Sequence, residues 1–206
     1  MTTPPPYPVS LDADLSPDLS RWLWLVKWLL AVPHYVVLIF LSIAAFVLTV
    51  IAFFAILFTG KYPRGIFDFN VGVLRWCWRV GYYVFIGTDR YPPFSLQEPD
   101  YPARLDVPYP ERLHRGLALV KWLLAIPHYL ILGSFAGMAG VVSVNYGGLG
   151  GIGLLLAFFA LVTHLFTGRY PTSLFDLVLG IERWGFRVTA YSMLMRDEYP
   201  PFRLSP

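Results

Sequence analysis

Two long stretches of the chain contain only uncharged and mostly apolar residues. No Asp, Glu, Lys or Arg occurs in residues 28–60 or in residues 122–168. Each stretch is longer than the ~20 residues that a helix needs to cross a bilayer. A helix in water rarely stays uncharged for so long, because its outer face meets solvent. The pattern predicts an all-α membrane protein.

Each stretch is predicted to form a helical hairpin. In the second stretch, the apolar runs 117–144 and 152–167 flank the glycine-rich turn segment 145–151, which predicts a hairpin over about 117–167. Residues 22–59 have no such break, but as one helix they would be ~57 Å long. That is nearly twice a ~30 Å hydrocarbon core. We therefore favour a hairpin over about 22–59 that turns near 42–45, with a single tilted helix as the alternative.

The chain repeats itself in tandem. LVKWLLAVPHY at 25–35 returns as LVKWLLAIPHY at 119–129, an offset of 94 residues. LFTGKYP at 57–63 returns as LFTGRYP at 165–171, an offset of 108, so the second copy holds a 14-residue insertion in its glycine-rich part. This duplication predicts two domains, 1–97 and 98–206. Because charges fall at the same places in both copies, we expect a parallel rather than an inverted repeat.

A third helix is predicted after each hairpin, at about 66–86 and about 174–194. Its charged residues recur along one narrow stripe at helical spacing. The stripe consists of Asp68, Arg75 and Arg79 in the first copy and of Asp176, Arg183 and Arg187 in the second. An amphipathic helix at the membrane interface fits this pattern, with Arg directed toward headgroups. A transmembrane helix with paired Asp and Arg, which would bury two Arg at high cost, and a soluble amphipathic helix are the alternatives.

The segments around the helices are rich in proline and are predicted to be short extended arms. They include YPVSLD near the start, the stretch from DRYPPF to PYPERL between the copies, and EYPPFRLSP at the end. Alternation of apolar and polar residues in 101–107 permits short strands. A small sheet that joins the arms is therefore possible.

Histidines within the apolar stretches are the first candidates for chemistry. His34 and His128 each follow a proline at equivalent positions and share a helical face with Lys27 and Lys121, respectively. A His in an apolar helix is a functional candidate in membranes, although it can also satisfy a carbonyl that the proline leaves free. His164 occurs in the second copy alone, where it could meet His128 across the hairpin. Paired histidines can ligate haem iron, but no haem motif is present, so we expect no cofactor.

Carboxylates and thiols add little to this set. Asp68 and Asp176 could serve as an acid–base pair, but ion pairs of Asp68 with Arg75 or Arg79 are the simpler interpretation. Cys77 is the sole cysteine, which excludes an intrachain disulfide and a paired-thiolate metal site. We therefore predict no catalytic residues and no metal site.

Charge placement predicts the topology. All 16 Lys and Arg residues lie outside 28–60 and 122–168, so two hairpins would leave every positive charge on one side, which the positive-inside tendency makes cytoplasmic. Residues 1–20 contain no Lys or Arg and do not resemble a signal peptide. A net charge of +3 does not favour nucleic acid as a partner. We expect a multi-pass protein of the cell inner membrane with both termini in the cytoplasm.

Several strings resemble one protein family. LVKWLLAIPHY, LFTGRYP, FDFNVGVLRW and DRYPPFSL are similar to the bacterial membrane family known as domain of unknown function 4389. The resemblance covers nearly the whole chain as two copies of the unit. The second copy departs from it by the insertion and by Leu-Val-Leu-Gly in place of Phe-Asn-Val-Gly. No activity comes with the family, so the resemblance implies a membrane location and nothing about mechanism.

Three functional hypotheses remain from the sequence. The leading one is a non-catalytic scaffold or accessory subunit of a membrane assembly, because no catalytic constellation is visible. Its partners would be the lipid bilayer and either other membrane subunits or a second copy of the chain. The alternatives are a hairpin protein that shapes membrane curvature, and a redox or transport subunit that uses His34, His128 and His164.

Overall fold

The computed structural model describes residues 7–17, 19–20, 22–85, 87–136, 151–167 and 170–205. This part of the chain is mostly helical, which confirms the predicted helical class. In chain order its elements are β1 (Ser10–Ala13), α1 (Trp24–Leu30), α2 (Val32–Thr59), α3 (Arg64–Phe85), β2 (Ala103–Asp106), α4 (Arg115–Leu124), α5 (Ile126–Ala136), α6 (Gly151–Thr167) and α7 (Thr172–Ser192). Two helical segments, Val32–Thr59 and Arg115–Gly133, are long and apolar enough to cross a membrane.

The repeated Ala-Val/Ile-Pro sequence breaks the first helix of each copy at the same place. Ala31 separates α1 from α2, and Ala125 separates α4 from α5. A proline two residues later, Pro33 or Pro127, has no N–H to donate and its ring crowds the carbonyl one turn back. Both alanines stay near helical geometry, with φ of −81° and −78°. The proline therefore interrupts the helix without ending it.

The turn expected near 42–45 does not form, and the hairpin predicted for 22–59 is corrected to two helices that meet at Ala31. α2 runs without interruption through these positions. The segment 42–45 reads Ser-Ile-Ala-Ala and has no glycine or proline, so nothing local ends the helix. In the second copy the expected turn at 145–151 lies outside the described residues, apart from Gly151, where α6 begins. α5 and α6 contact each other.

The helix predicted after each hairpin is present as α3 or α7, and it lies in the interior. α3 runs antiparallel to α2: the Asn70 amide donates to Thr49 Oγ1 over 3.1 Å, and the Trp76 indole donates to His34 Nδ1 over 3.0 Å. From Val71 to Val84 every residue of α3 is buried or partly buried. One side of α3 contacts α2, and its arginine-bearing side contacts β2 and the arm that follows α3.

β1 and β2 form the small antiparallel sheet that the alternation permitted, and they pair symmetrically. Leu11 lies opposite Leu105, its own counterpart at an offset of 94. Such pairing of equivalent residues is the mark of an approximate two-fold relation between the copies. Each arm also reaches across to the other copy: the Tyr7 hydroxyl donates to the Glu198 carbonyl, and the Tyr101 hydroxyl donates to the Arg90 carbonyl. The two copies are therefore interlocked.

Candidate functional site

The two buried lysines each form an ion pair with an aspartate of their own copy. Lys27 Nζ lies 2.7 Å from Asp89 Oδ1, and Lys121 Nζ lies 2.7 Å from Asp197 Oδ1. The lysine side chains are 5% and 1% exposed. A buried cation is tolerated only when it is paired and hydrogen-bonded, so the aspartates keep these lysines in the interior. Sequence reasoning missed the aspartates, although they recur at the offset of 108.

Further contacts surround each ion pair. Lys27 also donates to the Thr88 carbonyl over 2.6 Å and lies 5.2 Å from the centre of the Tyr83 ring. The second oxygen of Asp89 accepts from the Ser20 backbone N–H. Lys121 repeats the pattern with the Arg196 carbonyl, the Tyr191 ring and, through Asp197, the His114 backbone N–H. Each pair therefore ties the start of a long helix to the segment that follows α3 or α7.

His34 and His128 lie in matching aromatic pockets. His34 Nδ1 accepts from the Trp76 indole, and its ring stacks on Phe94 with centroids 3.9 Å apart. His128 Nδ1 accepts from the Trp184 indole over 3.1 Å, and its ring stacks on Phe202 with centroids 4.0 Å apart. An indole N–H can only donate, so Nδ1 carries no proton and a neutral ring holds its proton on Nε2. No described residue pairs with either Nε2 atom.

His164 does not join His128 but lines a small cavity beside the first ion pair. Lys27, Asp89 and Tyr83 line the same cavity, together with Leu19 and Leu161. His164 is 3% exposed, and neither ring nitrogen has a hydrogen-bond partner among the described residues. The equivalent position in the first copy is Ile56, which is also buried. The first ion pair therefore has a buried histidine of the second copy as its neighbour.

The charge stripe divides into groups with different partners, and its interfacial role stays a prediction. Arg79 is buried and donates to the Gln97 and Ser95 carbonyls, and Arg187 likewise donates to the Ser205 and Arg203 carbonyls. Burial lowers the pKa of Arg79 to about 10, so the guanidinium stays charged at neutral pH. These bonds hold the loop that carries Phe94, or Phe202, against the histidine.

The other stripe arginines connect the copies. Arg75 donates to the Leu105 carbonyl over 2.8 Å and pairs with Glu98 and Asp106. Arg183 donates to the Leu11 carbonyl over 2.7 Å and pairs with Asp12.

The aspartates of the stripe remain at the surface. Asp68 and Asp176 are both exposed. We favoured ion pairs of Asp68 with Arg75 or Arg79 from the sequence, and this prediction is corrected. Both arginines instead bind strand and loop residues.

Glu182 is a buried carboxylate that sequence reasoning did not select. It lies in α7 and is 4% exposed. Burial raises its pKa to about 8, so it is mainly protonated at neutral pH. The first copy has Leu74 at the equivalent position, also buried. Comparing the copies residue by residue would have revealed this substitution.

Within the described ranges, no group of three or more His, Cys, Asp or Glu residues could hold a metal ion. The polar groups that recur in both copies bind other parts of the same chain, and each such set connects segments that are distant in the sequence.

A family model described as Domain of unknown function (DUF4389) matches residues 21–95 and 141–203, which is more than half of the chain. No curated protein and no solved structure matches the chain.

Proposed function

The chain belongs to the DUF4389 family, and we propose that it is a membrane protein that acts as a non-catalytic scaffold or accessory subunit of a membrane assembly. The observation that carries this proposal is the apolar outer surface of the long helices. Large apolar side chains stand exposed along α1, α2, α4, α5 and α6, among them Phe40 (69%), Phe58 (73%), Leu130 (70%) and Phe166 (80%). Exposed apolar patches much larger than a few hundred Å² are rare on soluble monomers and typically mark interaction surfaces.

The charges of these helices support lipid as the neighbour. Lys27 and Lys121 are buried in ion pairs, and His34, His128 and His164 are buried as well. Among the described residues of α1, α2, α4, α5 and α6, the remaining charged residue is Arg115, the first residue of α4. A surface without ionised groups suits hydrocarbon, where an unpaired charge is costly.

The polar groups support a structural rather than a catalytic role. The buried lysines and arginines, together with His34 and His128, are bound to carbonyls, carboxylates or indoles of the same chain. Each set recurs in both copies, as expected for contacts that hold a fold together. Two repeats that are interlocked by such contacts and expose apolar helix faces have the features expected of a scaffold in a membrane.

Extraction and turnover experiments test the two parts of the proposal. The protein should stay in the membrane pellet at high salt and in alkaline carbonate, and Phe46→Lys on the exposed face of α2 should weaken that retention. Lys61→Met, at the exposed end of α2, is the matched control and should not. A detergent-free, monomeric protein in aqueous buffer would contradict the membrane location. Reproducible turnover, transport or a Soret absorption band from the pure protein would contradict the non-catalytic role.

A second candidate function is a protein that shapes membrane curvature. It is favoured by the unequal distribution of exposed groups, with apolar side chains on the long helices and exposed charges on the sheet and arms. A protein that enlarges one leaflet more than the other favours a curved bilayer. Reconstitution at rising protein density should then produce smaller vesicles, and a constant vesicle diameter would contradict this candidate.

A further inference from the structure

The exposed charges of the sheet lie beside α2 and not beyond either of its ends. Asn70 of α3 bonds to Thr49, and Trp76 bonds to His34, so position 75 of α3 lies between the levels of these two α2 residues, nearer to His34. Cys77 packs against the apolar cluster that includes Leu38 of α2. Arg75 is two residues from Cys77 and is therefore directed roughly 200° away around the helix. It meets β2 there, on the side of α3 opposite α2.

This sheet is a charged, water-facing surface. The side chains of Asp106 and Asp12 are 63% and 53% exposed, and those of Asp14 and Arg104 are 68% and 51% exposed. The proline-rich arms beside it are non-helical and carry Glu98 and Asp100, also exposed. If α2 crossed the bilayer, these charges and this irregular backbone would lie beside the spanning helix instead of in the water beyond its ends. Neither is tolerated in contact with lipid.

The direction of the second copy leads to the same conclusion. The Leu113 N–H donates to the Gly60 carbonyl, so α4 begins where α2 ends. The ring of Trp122, about two turns after the start of α4, lies 5.4 Å from the ring of Phe53, about two turns before the end of α2. α4 therefore runs antiparallel to α2. If α2 spanned the membrane, the copies would have opposite orientations, although their Lys and Arg residues occupy equivalent positions. The positive-inside tendency disfavours such an arrangement.

We infer that α2 and its counterparts in the second copy lie in the plane of the membrane within one leaflet, with their exposed apolar faces in hydrocarbon and the β1–β2 sheet in water. The inference rests on the proposed membrane location and replaces spanning helices with a single layer of helices. A helix is about 10 Å across, and one leaflet offers about 15 Å of hydrocarbon, so one layer fits. The approximate two-fold axis that relates the copies then lies along the membrane normal, and both copies insert the equivalent apolar face into the same leaflet.

The partner of the apolar face is thus the acyl region of a single leaflet. Exposed side chains cover roughly the outer half of α2, from Val32 to Phe58, and the buried residues His34, Leu38, Ala45, Thr49, Ala52 and Ile56 form one stripe that faces the protein. A spanning helix and an in-plane helix can share this pattern. The position of the charged sheet beside α2, together with the antiparallel course of α4, favours the in-plane arrangement.

Depth measurements along α2 test the inference. In a Cys77→Ala background, nitroxide labels would be placed at Val36→Cys, Val47→Cys and Phe58→Cys, each in a separate variant reconstituted in phosphatidylcholine–phosphatidylglycerol vesicles. These positions are exposed and lie on one face of the helix, about 16 Å apart along its axis. Collision rates with oxygen and with a water-soluble nickel complex report the depth of each label. Ser10→Cys on the sheet is the control and should report water.

The in-plane arrangement predicts equal depths at the three positions, within a few Å. A profile that is deepest at 47 and shallow at 36 and 58 would overturn the inference and leave the membrane location intact. Labels that report water at all three positions would instead contradict the proposed function itself. Labels shielded from both oxygen and nickel would show that a second copy covers α2, which also overturns the inference.

Labelling from each side of the membrane supplies a second readout. Ser20→Cys lies just before α1 and Lys61→Cys just after α2, so they mark the two ends of the segment that these helices form, and both positions are exposed. An impermeant maleimide should modify both from the same side of sealed vesicles. Modification from opposite sides would establish a spanning helix and overturn the inference.

Discussion

The two copies share their connecting contacts and differ in their interiors. Both have the lysine–aspartate pair, the histidine pocket and the arginine that holds the following loop. In the first copy Asn70 bonds to Thr49 and to the Tyr62 hydroxyl. In the second copy Val178 replaces Asn70, and the buried Tyr170 hydroxyl has no partner among the described residues. The contacts that join segments have thus been retained, while polar groups inside each copy have changed.

This difference separates two kinds of buried polar group. Lys27 and Lys121 have the same partners in both copies, so each is balanced by a charge that was duplicated with it. Glu182 and His164 have no equivalent in the first copy, where Leu74 and Ile56 stand. Burying a polar side chain costs stability unless it is hydrogen-bonded. These two residues therefore mark places where the second copy is either weaker or adapted to a use of its own.

Breaking the shared ion pairs should have the largest effect. Lys27→Met and Lys121→Met keep the side-chain length but leave Asp89 or Asp197 without its cation. We expect each to lower the free energy of unfolding by about 3 kcal/mol, measured by reversible denaturation in mixed micelles. The double variant Lys27→Met with Asp89→Leu should recover part of the loss. Equal losses in the two copies would support their equivalence, and a loss in one copy alone would contradict it.

Exchanging Glu182 and Leu74 tests the principal difference in the interior. Glu182→Leu should raise the free energy of unfolding by about 2 kcal/mol at neutral pH, because it replaces a buried carboxyl by the apolar residue that the first copy buries at this position. Leu74→Glu should lower it by a similar amount.

The pH dependence of stability has a definite sign here. The folded pKa of Glu182 is about 8, above the ordinary value of about 4.3. The unfolded chain therefore releases this proton first, and stability should fall as the pH rises from about 4.3 to about 8. Glu182→Leu should remove that slope. A slope that persists unchanged would show that another group causes it.

Gly72 of α3 and Gly180 of α7 test whether the segments that contain Leu96 and Leu204 pack equally closely on these helices. A Cβ at Gly72 would lie 2.8 Å from the Leu96 carbonyl oxygen, and one at Gly180 would lie 3.1 Å from that of Leu204. We expect Gly72→Ala to cost about 2 kcal/mol and Gly180→Ala somewhat less, because backbone must shift. Gly81→Ala and Gly185→Ala are the controls: no neighbour lies within 4 Å of the added Cβ. They should be neutral or slightly stabilising, since Ala favours helix over Gly.

The smallest effect is expected at Asn70, where the first copy has buried hydrogen bonds that the second copy lacks. Asn70→Val imitates the second copy and removes two hydrogen bonds, whereas the Tyr62 hydroxyl keeps the Met193 carbonyl at 3.3 Å. The free energy of unfolding should fall by about 1 kcal/mol. In a cycle with Thr49→Val, the two losses should not add, because both side chains share one hydrogen bond. Strict additivity would show that the bond contributes nothing.

Part of the fold could be predicted from local sequence and part could not. The helices of both copies, the duplication and the sheet near 101–107 followed from period, repetition and alternation, which depend on neighbouring residues. The turn near 42–45 was inferred from total length, and it was wrong because no residue there ends a helix. The partners of Lys27 and Lys121 lie 62 and 76 positions further along the chain, beyond the reach of any helical spacing.

The sequence by itself determined that this protein has long apolar helices and two copies of one unit, since each follows from side-chain type and repetition. The tertiary structure alone decided that α3 and α7 lie in the interior, that each arm packs on the opposite copy, and that His164 lies beside Lys27 rather than His128. These outcomes depend on which apolar surfaces meet, and hydrophobic burial is non-directional. The same pattern of apolar positions is therefore compatible with several arrangements, and the polar contacts between distant segments select one of them.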